Sequence, residues 1–309
     1  MIQVKNLVKR YGELIALDHF SLEVQDGEIL GLLGPNGSGK TTAIHCILSL
    51  LTYDKGEISL FGEPMTPRSF DLKRQIGVVP QDVAVFQELT VQENIDYFCS
   101  LYVPEKETRK KLVEEAIRFV ELDEFRKFLP GKLSGGLLRR LNIACGIVHR
   151  PKLIFLDEPT VAVDPQSRNR ILEGIRELNR QGATIVYTSH YMEEVEQLCT
   201  RIVIMDKGRE VATGTKEELK AMIRGGEKLT VETAGLSESL LEDIRKLPGI
   251  HHAAFDGERL TARGEGEGSA LLAVLDLLRK NKIPVGRIFS EPPTLNDVFL
   301  EITGKELRD

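Results

Sequence analysis

Residues Gly34 to Thr41, GPNGSGKT, match the pattern G-x-x-x-x-G-K-[ST] at every position. The segment follows an apolar run, Ile29 to Leu33, and precedes a helical pattern, which is the context that a phosphate-binding loop requires. Glycines let main-chain N–H groups turn inward around a phosphate, and the positive end of the following helix faces the same charge. The pattern therefore favours a phosphate-binding loop over a plain glycine-rich turn. The predicted binding residues are Gly34, Pro35, Asn36, Gly37, Ser38, Gly39, Lys40, Thr41 and Thr42.

Two acids at the end of another apolar run meet a second requirement of phosphate chemistry. We expect Lys40 to reach the β- and γ-phosphates and Thr41 to place its hydroxyl on Mg²⁺. Because Mg²⁺ keeps several waters and takes few carboxylates, one acid at a nearby strand end is enough, and Asp157 is that acid. Glu158 follows the strand and can polarise an attacking water as a general base. Without the phosphate-binding loop, a solvated acidic turn would be the preferred interpretation.

Short apolar runs indicate the elements that position these residues. Residues 29–33, 153–156 and 184–187 lack polar alternation, which is typical of buried parallel strands. Helical patterns lie between them, so we predict a doubly wound α/β core. Ligands of such sheets bind beyond the carboxyl ends of the strands, where the glycine loop and the acid pair fall. Residues 82–149 have helical spacing and predict a mainly helical insertion beside the sheet.

A second, smaller domain is predicted after the glycine pair Gly225-Gly226, which marks a helix end and a linker. From there the pattern restarts with strands near 228–232, 252–255, 259–262 and 285–289, and helices over 237–246, 269–279 and 295–303. The segment Gly264 to Gly268, GEGEG, is expected to be a short loop. We therefore predict a first domain over residues 1–224 and a small α+β domain over 227–309.

Composition narrows the class of protein. The 309 residues are 41% hydrophobic and 28% charged, as in ordinary soluble globular proteins, and the net charge of -6 gives no attraction for nucleic acid. The basic run Lys106 to Lys111 leads into mixed-charge helical sequence, so a solvated helix face is favoured there. Four scattered cysteines suggest neither zinc nor disulfides. With no signal peptide or apolar run of about 18 residues, we expect a cytoplasmic chain that reaches a membrane only through a partner.

The chain resembles the ATP-binding cassette (ABC) family of transporter ATPases over roughly Ile2 to Arg224. It is most similar to the separate-subunit cassettes of bacterial exporters, a branch that includes drug-resistance and sodium-extrusion systems. The resemblance implies a P-loop NTPase fold, a RecA-like core with antiparallel β and helical subdomains, followed here by the small α+β domain. The motifs that carry it are GPNGSGKTT (34–42), Gln81, LSGGL (133–137), LIFLDEP (153–159), VAVDP (161–165) and His190.

The resemblance also implies that two cassettes sandwich ATP between the loop of one and the LSGG segment of the other. Ser134, Gly135 and Gly136 would bind the nucleotide held by a second copy, or by a similar cassette, through a hydroxyl, close backbone approach and a helix N-terminus. Asp164 resembles the residue that crosses between the two cassettes.

Three further roles come from matching positions. Tyr11 would stack on adenine, with a core tyrosine as the alternative. Gln81 would bind Mg²⁺ or the attacking water, with an exposed turn residue as the alternative. His190 would contact the γ-phosphate and orient Glu158. The predicted catalytic residues are thus Glu158, His190 and Gln81, and the predicted metal ligands are Thr41, Gln81 and Asp157.

Two positions depart from the pattern of the family. Leu137 occupies the fifth signature position, commonly Gln, so a side-chain hydrogen bond is lost there while Ser134 and the backbone donors remain. Val161 is bulkier than the small residues found in many cassettes. We expect ATPase activity to survive the change at Leu137, whereas Val161 bears on the details of the contact between the two cassettes.

The leading hypothesis is an ATP-hydrolysing exporter subunit whose dimer closure powers a separate transmembrane permease. Residues 83–97 are the candidate permease contact, although their apolar side chains could equally belong to the core. A soluble cassette ATPase acting on ribosomes or chromosomes is the alternative, but such relatives usually carry two cassettes or a long coiled coil. A kinase would share Gly34 to Thr41 yet has no need of Ser134-Gly135-Gly136. For the C-terminal domain we expect a packing or dimer-supporting role, with binding of a regulatory ligand as the alternative.

Overall fold

The six-stranded sheet that carries the phosphate-binding loop lies in the first part of the chain. A computed structural model describes residues 1–222, 227–264 and 269–303. Its contacts divide the chain into two units, the first comprising Met1–Thr215 and the second beginning at Lys216.

Strands run mostly parallel in this sheet, whose order is β10-β9-β3-β8-β7-β6. The strands are β3 (Ile29–Leu33), β6 (Ile76–Val79), β7 (Leu153–Asp157), β8 (Thr184–Ser189), β9 (Arg201–Asp206) and β10 (Arg209–Gly214). Only β10 pairs antiparallel, with β9. Every residue of β3, β7 and β8 is buried, which confirms the three strands predicted from continuous apolar runs. Two of them extend further than predicted, to Asp157 and Ser189, because buried polar residues continue the strand.

A second sheet of the first unit is antiparallel, in the order β2-β1-β4-β5. Its strands are β1 (Ile2–Tyr11), β2 (Leu14–Val24), β4 (Lys55–Leu60) and β5 (Glu63–Pro64). One hydrophobic core joins this sheet, the helix α1 (Lys40–Ile47) and the six-stranded sheet; it includes Phe20 from β2, Ile44 from α1 and Phe155 from β7. The phosphate-binding loop and its helix are thus held between two sheets.

Six further α-helices belong to the described part of the first unit. They are α2 (Phe70–Lys73), α3 (Val91–Ser100), α4 (Lys106–Phe119), α5 (Gly135–Ile147), α6 (Pro165–Arg180) and α7 (Met192–Leu198). Helices α3, α4 and α5 share a separate apolar cluster that includes Ile95, Ile117 and Leu141. Thr90 and Glu93 form a capping box that fixes the start of α3. The predicted helical insertion is therefore confirmed as a three-helix subdomain with its own core.

An antiparallel sheet in the order β12-β13-β11-β14 forms the centre of the second unit. Its elements are α8 (Lys216–Ala221), β11 (Glu227–Thr233), α9 (Glu238–Arg245), β12 (Ile250–Phe255), β13 (Arg259–Gly264), α10 (Ser269–Lys280), β14 (Val285–Glu291) and α11 (Leu295–Thr303). Helices α8 and α11 contact each other, so the division of the structure falls before α8 rather than at residue 224. Gly225, Gly226 and residues 265–268, predicted as linker and loop, lie outside the described residues. No helix of the described chain is long and apolar enough to cross a membrane.

Candidate functional site

The loop between β3 and α1 has a backbone that only glycine allows at two positions. Gly37 and Gly39 have φ of 80° and 106°, in the left-handed region. A Cβ on Gly39 would lie 2.7 Å from the carbonyl oxygen of Ala16, so no side chain fits. The main-chain N–H of Ser38 donates to the carbonyl oxygen of Pro35 at 3.1 Å, which closes the loop. These constraints turn the loop around the N-terminus of α1, where an anion is favoured.

Lys40, the first residue of α1, is buried against this loop and is 5% exposed. Its Nζ donates to the carbonyl oxygens of Gly34 at 2.8 Å and Pro35 at 3.2 Å, and it lies 3.7 Å from Oε1 of Glu158. Burial lowers the pKa of Lys40, and the nearby carboxylates of Glu158 and Asp157 oppose that shift. The partners of Lys40 are thus two neutral carbonyls and one carboxylate, which phosphate oxygens could replace.

Asp157, at the end of β7, is held by two hydroxyls from other elements. Its Oδ2 accepts from Thr41 at 2.9 Å and its Oδ1 accepts from Thr188 at 2.5 Å. Thr41 lies in the first turn of α1, and Thr188 belongs to β8. The carboxylate therefore connects β7 to α1 and to β8. A hydroxyl and a carboxylate are hard oxygen ligands, and together with phosphate oxygens and waters they fit Mg²⁺.

Glu158 has a left-handed backbone, with φ of 45°, which is costly for a residue other than glycine. Its N–H donates to Thr188 Oγ1 at 3.0 Å, and this contact holds the unusual conformation. The side chain is 6% exposed, and its Oε2 lies 3.2 Å from Nδ1 of His190. Strained backbone of this kind concentrates at functional sites, and here it aims one carboxylate between Lys40 and His190.

A cavity of about 460 Å³ adjoins these residues. Besides Lys40 and Glu158, its lining includes seven residues predicted from the sequence: Tyr11, Asn36, Gly37, Gly39, Thr41, Thr42 and Gln81. Tyr11 is 47% exposed, which excludes the alternative of a core tyrosine and leaves its ring accessible to a flat ligand. Ser38 Oγ is buried without a partner among the described residues, and a bound phosphate could supply one.

Sequence reasoning missed four residues of the cavity wall: Leu14, Ile15, Ala16 and Lys207. The first three lie at the start of β2, where Leu14 pairs with Tyr11 and Ile15 with Arg10 across the β1–β2 hairpin. Lys207 follows β9, which pairs with β3, so its turn lies at the carboxyl edge of the sheet. The position of Lys207 directly after a strand could have predicted it, because such sheets bind ligands at the carboxyl ends of their strands.

Gln81 lies in the exposed loop after β6, and its backbone is fastened to α5. The guanidinium of Arg139 donates to the Gln81 carbonyl oxygen at 2.7 Å. Asn142, also on α5, accepts from the N–H of Ala84 at 3.0 Å. Gln81 therefore lines the cavity from a loop whose main chain is hydrogen-bonded to α5.

The LSGG segment is placed at the start of α5, outside the cavity. Ser134 caps this helix and accepts from the N–H of Leu137 at 3.3 Å. Asp164 caps α6 in the same way, accepting from the N–H of Ser167 at 2.9 Å. A Cβ on Gly136 would lie 2.3 Å from Ser167 Oγ, so the two helix starts touch because Gly136 has no side chain. Gly135 faces more open space, because a Cβ on it would lie no closer than 3.7 Å to any neighbour, the carbonyl oxygen of Ala162.

None of Ser134, Gly135, Gly136 and Asp164 is among the described residues that line the cavity. Leu137 packs against the apolar cluster of the helical subdomain, which accounts for an apolar residue at that position. The predicted residues of one chain thus form two separate groups. One surrounds Lys40, and the other lies at the starts of α5 and α6.

Comparison with known proteins agrees with this arrangement. The ABC transporter family profile matches residues 17–161, and the profile of the "ATP-binding protein DrrA1-3-like, C-terminal domain" matches residues 214–303. The chain is 38% identical to the linearmycin resistance ATP-binding protein LnrL of Bacillus subtilis, over all of both chains. It is 35% identical to the Nod factor export ATP-binding protein I of Burkholderia orbicola, over 100% of this chain and 98% of that one.

Solved structures give the same result for about 70% of the chain. A bacterial ABC transporter cassette solved as a dimer has a TM-score of 0.65 and 28% identity, over 70% of this chain and 98% of that one. The post-hydrolysis dimer of a cassette bound to ADP and Pi has a TM-score of 0.64 at the same identity and coverage. Full-length relatives above 30% identity and the matching folds agree that this ATPase belongs to the ATP-binding proteins of the ABC transporter family and carries a DrrA-like C-terminal domain.

Proposed function

We propose that two copies of this chain, or one copy and a similar cassette, close around ATP and so drive a separate transmembrane permease to expel a substrate. The observation that carries the proposal is the separation of two residue groups in one chain. Lys40 and Glu158 line the cavity, whereas Ser134 and its neighbours lie outside its lining. Asp157 and His190 adjoin the cavity through their contacts with the lining residues Thr41 and Glu158. A second copy placed head to tail would bring the missing helix N-terminus to the phosphates.

At the proposed metal site, Thr41, Asp157 and Gln81 would hold Mg²⁺. When bound, the ion would neutralise charge on the phosphate oxygens. The hydrogen bond from Thr41 Oγ1 to Asp157 Oδ2, 2.9 Å long, supports this assignment because it already pairs the two oxygen ligands. Gln81 lines the same cavity.

Hydrolysis needs a positioned water and a group that accepts its proton. We assign that proton to the carboxylate of Glu158, and its contact with His190 at 3.2 Å supports a role for the imidazole in orienting it. Lys40 would balance the charge of the β- and γ-phosphates as the bond between them breaks. Tyr11 and the apolar side chains of Leu14 and Ile15 would hold the base.

The permease contact is proposed on the helical subdomain, within residues 83–97. Its residues divide into two sets: Val91 and Ile95 are buried in the subdomain core, whereas Phe86 and Tyr97 are each 42% exposed. The rings of these two residues pack edge to face at 4.8 Å, so they form one exposed aromatic surface. Apolar rings at a protein surface are typical of binding sites. Through this contact the subunit would lie on the inner face of the cell membrane.

The test of the proposal is Glu158→Gln. The variant should bind ATP with parental affinity and accumulate as a closed dimer, while phosphate release slows by about 10²–10⁴-fold, the usual contribution of a general base. Glu124→Gln, an exposed acid of the helical subdomain, is the matched control and should hydrolyse ATP at the parental rate. If Glu158→Gln releases phosphate at the parental rate, the assignment of the base is wrong.

A further inference from the structure

A buried carboxylate lies behind the proposed catalytic residues, outside the cavity. Glu194, on α7, is 3% exposed. Its Oε2 accepts from the hydroxyls of Tyr187 at 2.6 Å, Thr160 at 2.7 Å and Ser189 at 3.2 Å. Burial, reinforced by the charge of Glu194, holds the pKa of Tyr187 well above its usual value, so this hydroxyl remains a donor. The free-energy cost of burying a carboxylate is offset here by three hydroxyl donors to one of its oxygens.

Its other oxygen faces a cation that leads back to the catalytic residues. Arg168 Nε lies 3.1 Å from Glu194 Oε1. The same guanidinium lies over the ring of Tyr191, 4.8 Å from its centroid, and that ring contacts the imidazole of His190 with centroids 4.1 Å apart. A cation over the face of a ring is attracted to it, so this contact helps to fix the position of the Tyr191 ring. A continuous chain of contacts therefore runs from Glu194 to His190.

The partners of Glu194 come from the loop after β7, from α6 and from β8, next to Glu158, Asp164 and His190. Thr160 belongs to the loop that begins with Glu158 and ends at Asp164, the cap of α6. Arg168 donates its main-chain N–H to the Asp164 carbonyl oxygen at 2.9 Å. Ser189 immediately precedes His190, and its Oγ also accepts from the N–H of Tyr191 at 2.9 Å. One carboxylate thus fastens this loop to the end of β8.

We propose that Glu194 is a positioning residue for ATP hydrolysis: with Arg168 and Tyr191, it holds the loop of Glu158 and Asp164 in register with His190. This inference rests on the proposed roles of Glu158 and His190. It assigns to Glu194 no contact with ATP. A displacement of about 1 Å at a reacting group can cost about 10²-fold in rate, so a residue that fixes this register controls kcat without binding the nucleotide.

Glu194→Gln tests the proposal in the full chain. An amide has one oxygen, so it cannot accept from the three hydroxyls and also pair with Arg168. We expect kcat to fall by about 10- to 100-fold, with the ATP dissociation constant within about twofold of parental. Glu193→Gln, at the exposed neighbouring acid on α7, is the matched control and should keep the parental kcat. Losses of kcat and ATP affinity by similar factors would show a general structural defect and overturn the proposal.

A double variant, Glu194→Gln with Glu158→Gln, distinguishes a positioning role of Glu194 from a loss of activity that is unrelated to Glu158. If Glu194 acts through Glu158, then Glu194→Gln should reduce the single-turnover rate of Glu158→Gln by less than about twofold. Losses that multiply would overturn the proposal. Parental kcat in Glu194→Gln, with Glu158→Gln slow, would overturn this inference and leave the proposed function standing. Parental kcat in Glu158→Gln would reject the proposed function itself.

A second route remains if Glu194→Gln does not fold. Tyr191→Leu removes the ring between Arg168 and His190, and we expect kcat to fall by about tenfold with ATP affinity retained. Tyr191→Phe keeps the ring and should recover most of that loss. Equal kcat in the parental protein and Tyr191→Leu would overturn the proposal.

Discussion

Arg139 donates from its buried guanidinium to the main-chain carbonyl oxygen of Gln81 at 2.7 Å. The same nitrogen reaches the carbonyl oxygen of Pro80 at 3.3 Å, and Asn142 Nδ2 reaches it at 3.2 Å. Arg139 and Asn142 belong to α5, the helix that Ser134 begins. The loop that would present Gln81 to one nucleotide is therefore fastened to the helix that would face the other nucleotide of a dimer.

Replacing Arg139 should disturb this connection. Arg139→Met leaves the Gln81 carbonyl without its charged donor, a contact worth about 1.5–3 kcal/mol. We expect kcat for ATP hydrolysis to fall by about tenfold or more, with ATP affinity close to parental because Lys40 and Tyr11 are untouched. Arg118→Met, at an exposed arginine of α4, is the control. A parental kcat in Arg139→Met would show that Gln81 needs no such support.

Nucleotide affinity should depend on Lys40. Lys40→Met removes the buried ammonium group, and the loss of one charge-assisted contact is expected to raise the ATP dissociation constant by about 10- to 150-fold. Equilibrium binding of a fluorescent ATP analogue measures this change. Lys127→Met, at an exposed lysine, should bind like the parental protein. Unchanged affinity in Lys40→Met would contradict its placement at the phosphates.

Sharing of each site by two copies can be tested by complementation. Ser134→Arg and Lys40→Met should each be inactive alone, because each damages both sites of its own dimer. Mixed in equal amounts, they should recover activity at about a quarter of the sites, since half of the dimers are mixed and each holds one intact site. No recovery, in a mixture shown by cross-linking to contain mixed dimers, would count against the shared site.

Asp164 has a structural role that can be separated from its proposed role between copies. Hydrogen bonds from the N–H and the hydroxyl of Ser167 lower the pKa of Asp164, in keeping with its position as the cap of α6. Asp164→Ala should reduce the free energy of unfolding by about 0.5–2 kcal/mol, whereas Asp164→Asn keeps the cap and should stay close to parental. Urea unfolding measures both. Low ATPase activity in a stable Asp164→Asn would then report the contact between copies.

Stability should fall in acid because of His149. Its ring stacks on Tyr102 with centroids 3.8 Å apart, Nε2 lies 3.1 Å from the Ile76 carbonyl oxygen, and Nδ1 is buried with no partner among the described residues. Burial lowers the pKa of His149, and the Ile76 carbonyl opposes this only in part. The unfolded chain, with a histidine pKa of about 6.5, therefore binds the proton more readily. The stability from the neutral ring is complete above about pH 6.5 and is lost as the pH falls below it.

His149→Phe supplies the comparison, since it keeps a ring against Tyr102 and cannot titrate. Urea unfolding between about pH 8 and pH 5.5 should show a shallower decline for this variant than for the parental protein, even though its stability at neutral pH is lower. An equal decline of stability with pH in both proteins would mean that protonation of His149 does not contribute to the loss of stability in acid.

Local residue types were enough to predict the phosphate-binding loop, the acid pair after β7 and the helical insertion. Each is written in contiguous sequence: glycines for the turn, an apolar run for a buried strand, an acid where the strand ends. The antiparallel partner of Tyr11 and the turn of Lys207 were not predicted, because their places depend on strand pairing across distant parts of the chain. The contacts of Glu194 with Thr160 and Arg168 depend on packing between α6 and α7, which no local pattern records.

Gly136 shows how a motif can serve two purposes at once. Sequence reasoning attributed its lack of a side chain to the approach of a nucleotide, yet the structure uses that lack to bring α5 against Ser167. The contact has an evolutionary corollary. Among descendants of this sequence, alanine or serine at the second glycine should persist only where the residue facing it at position 167 has shrunk, so the two positions should drift together, and a lineage that broke the pair would have to re-space both helices.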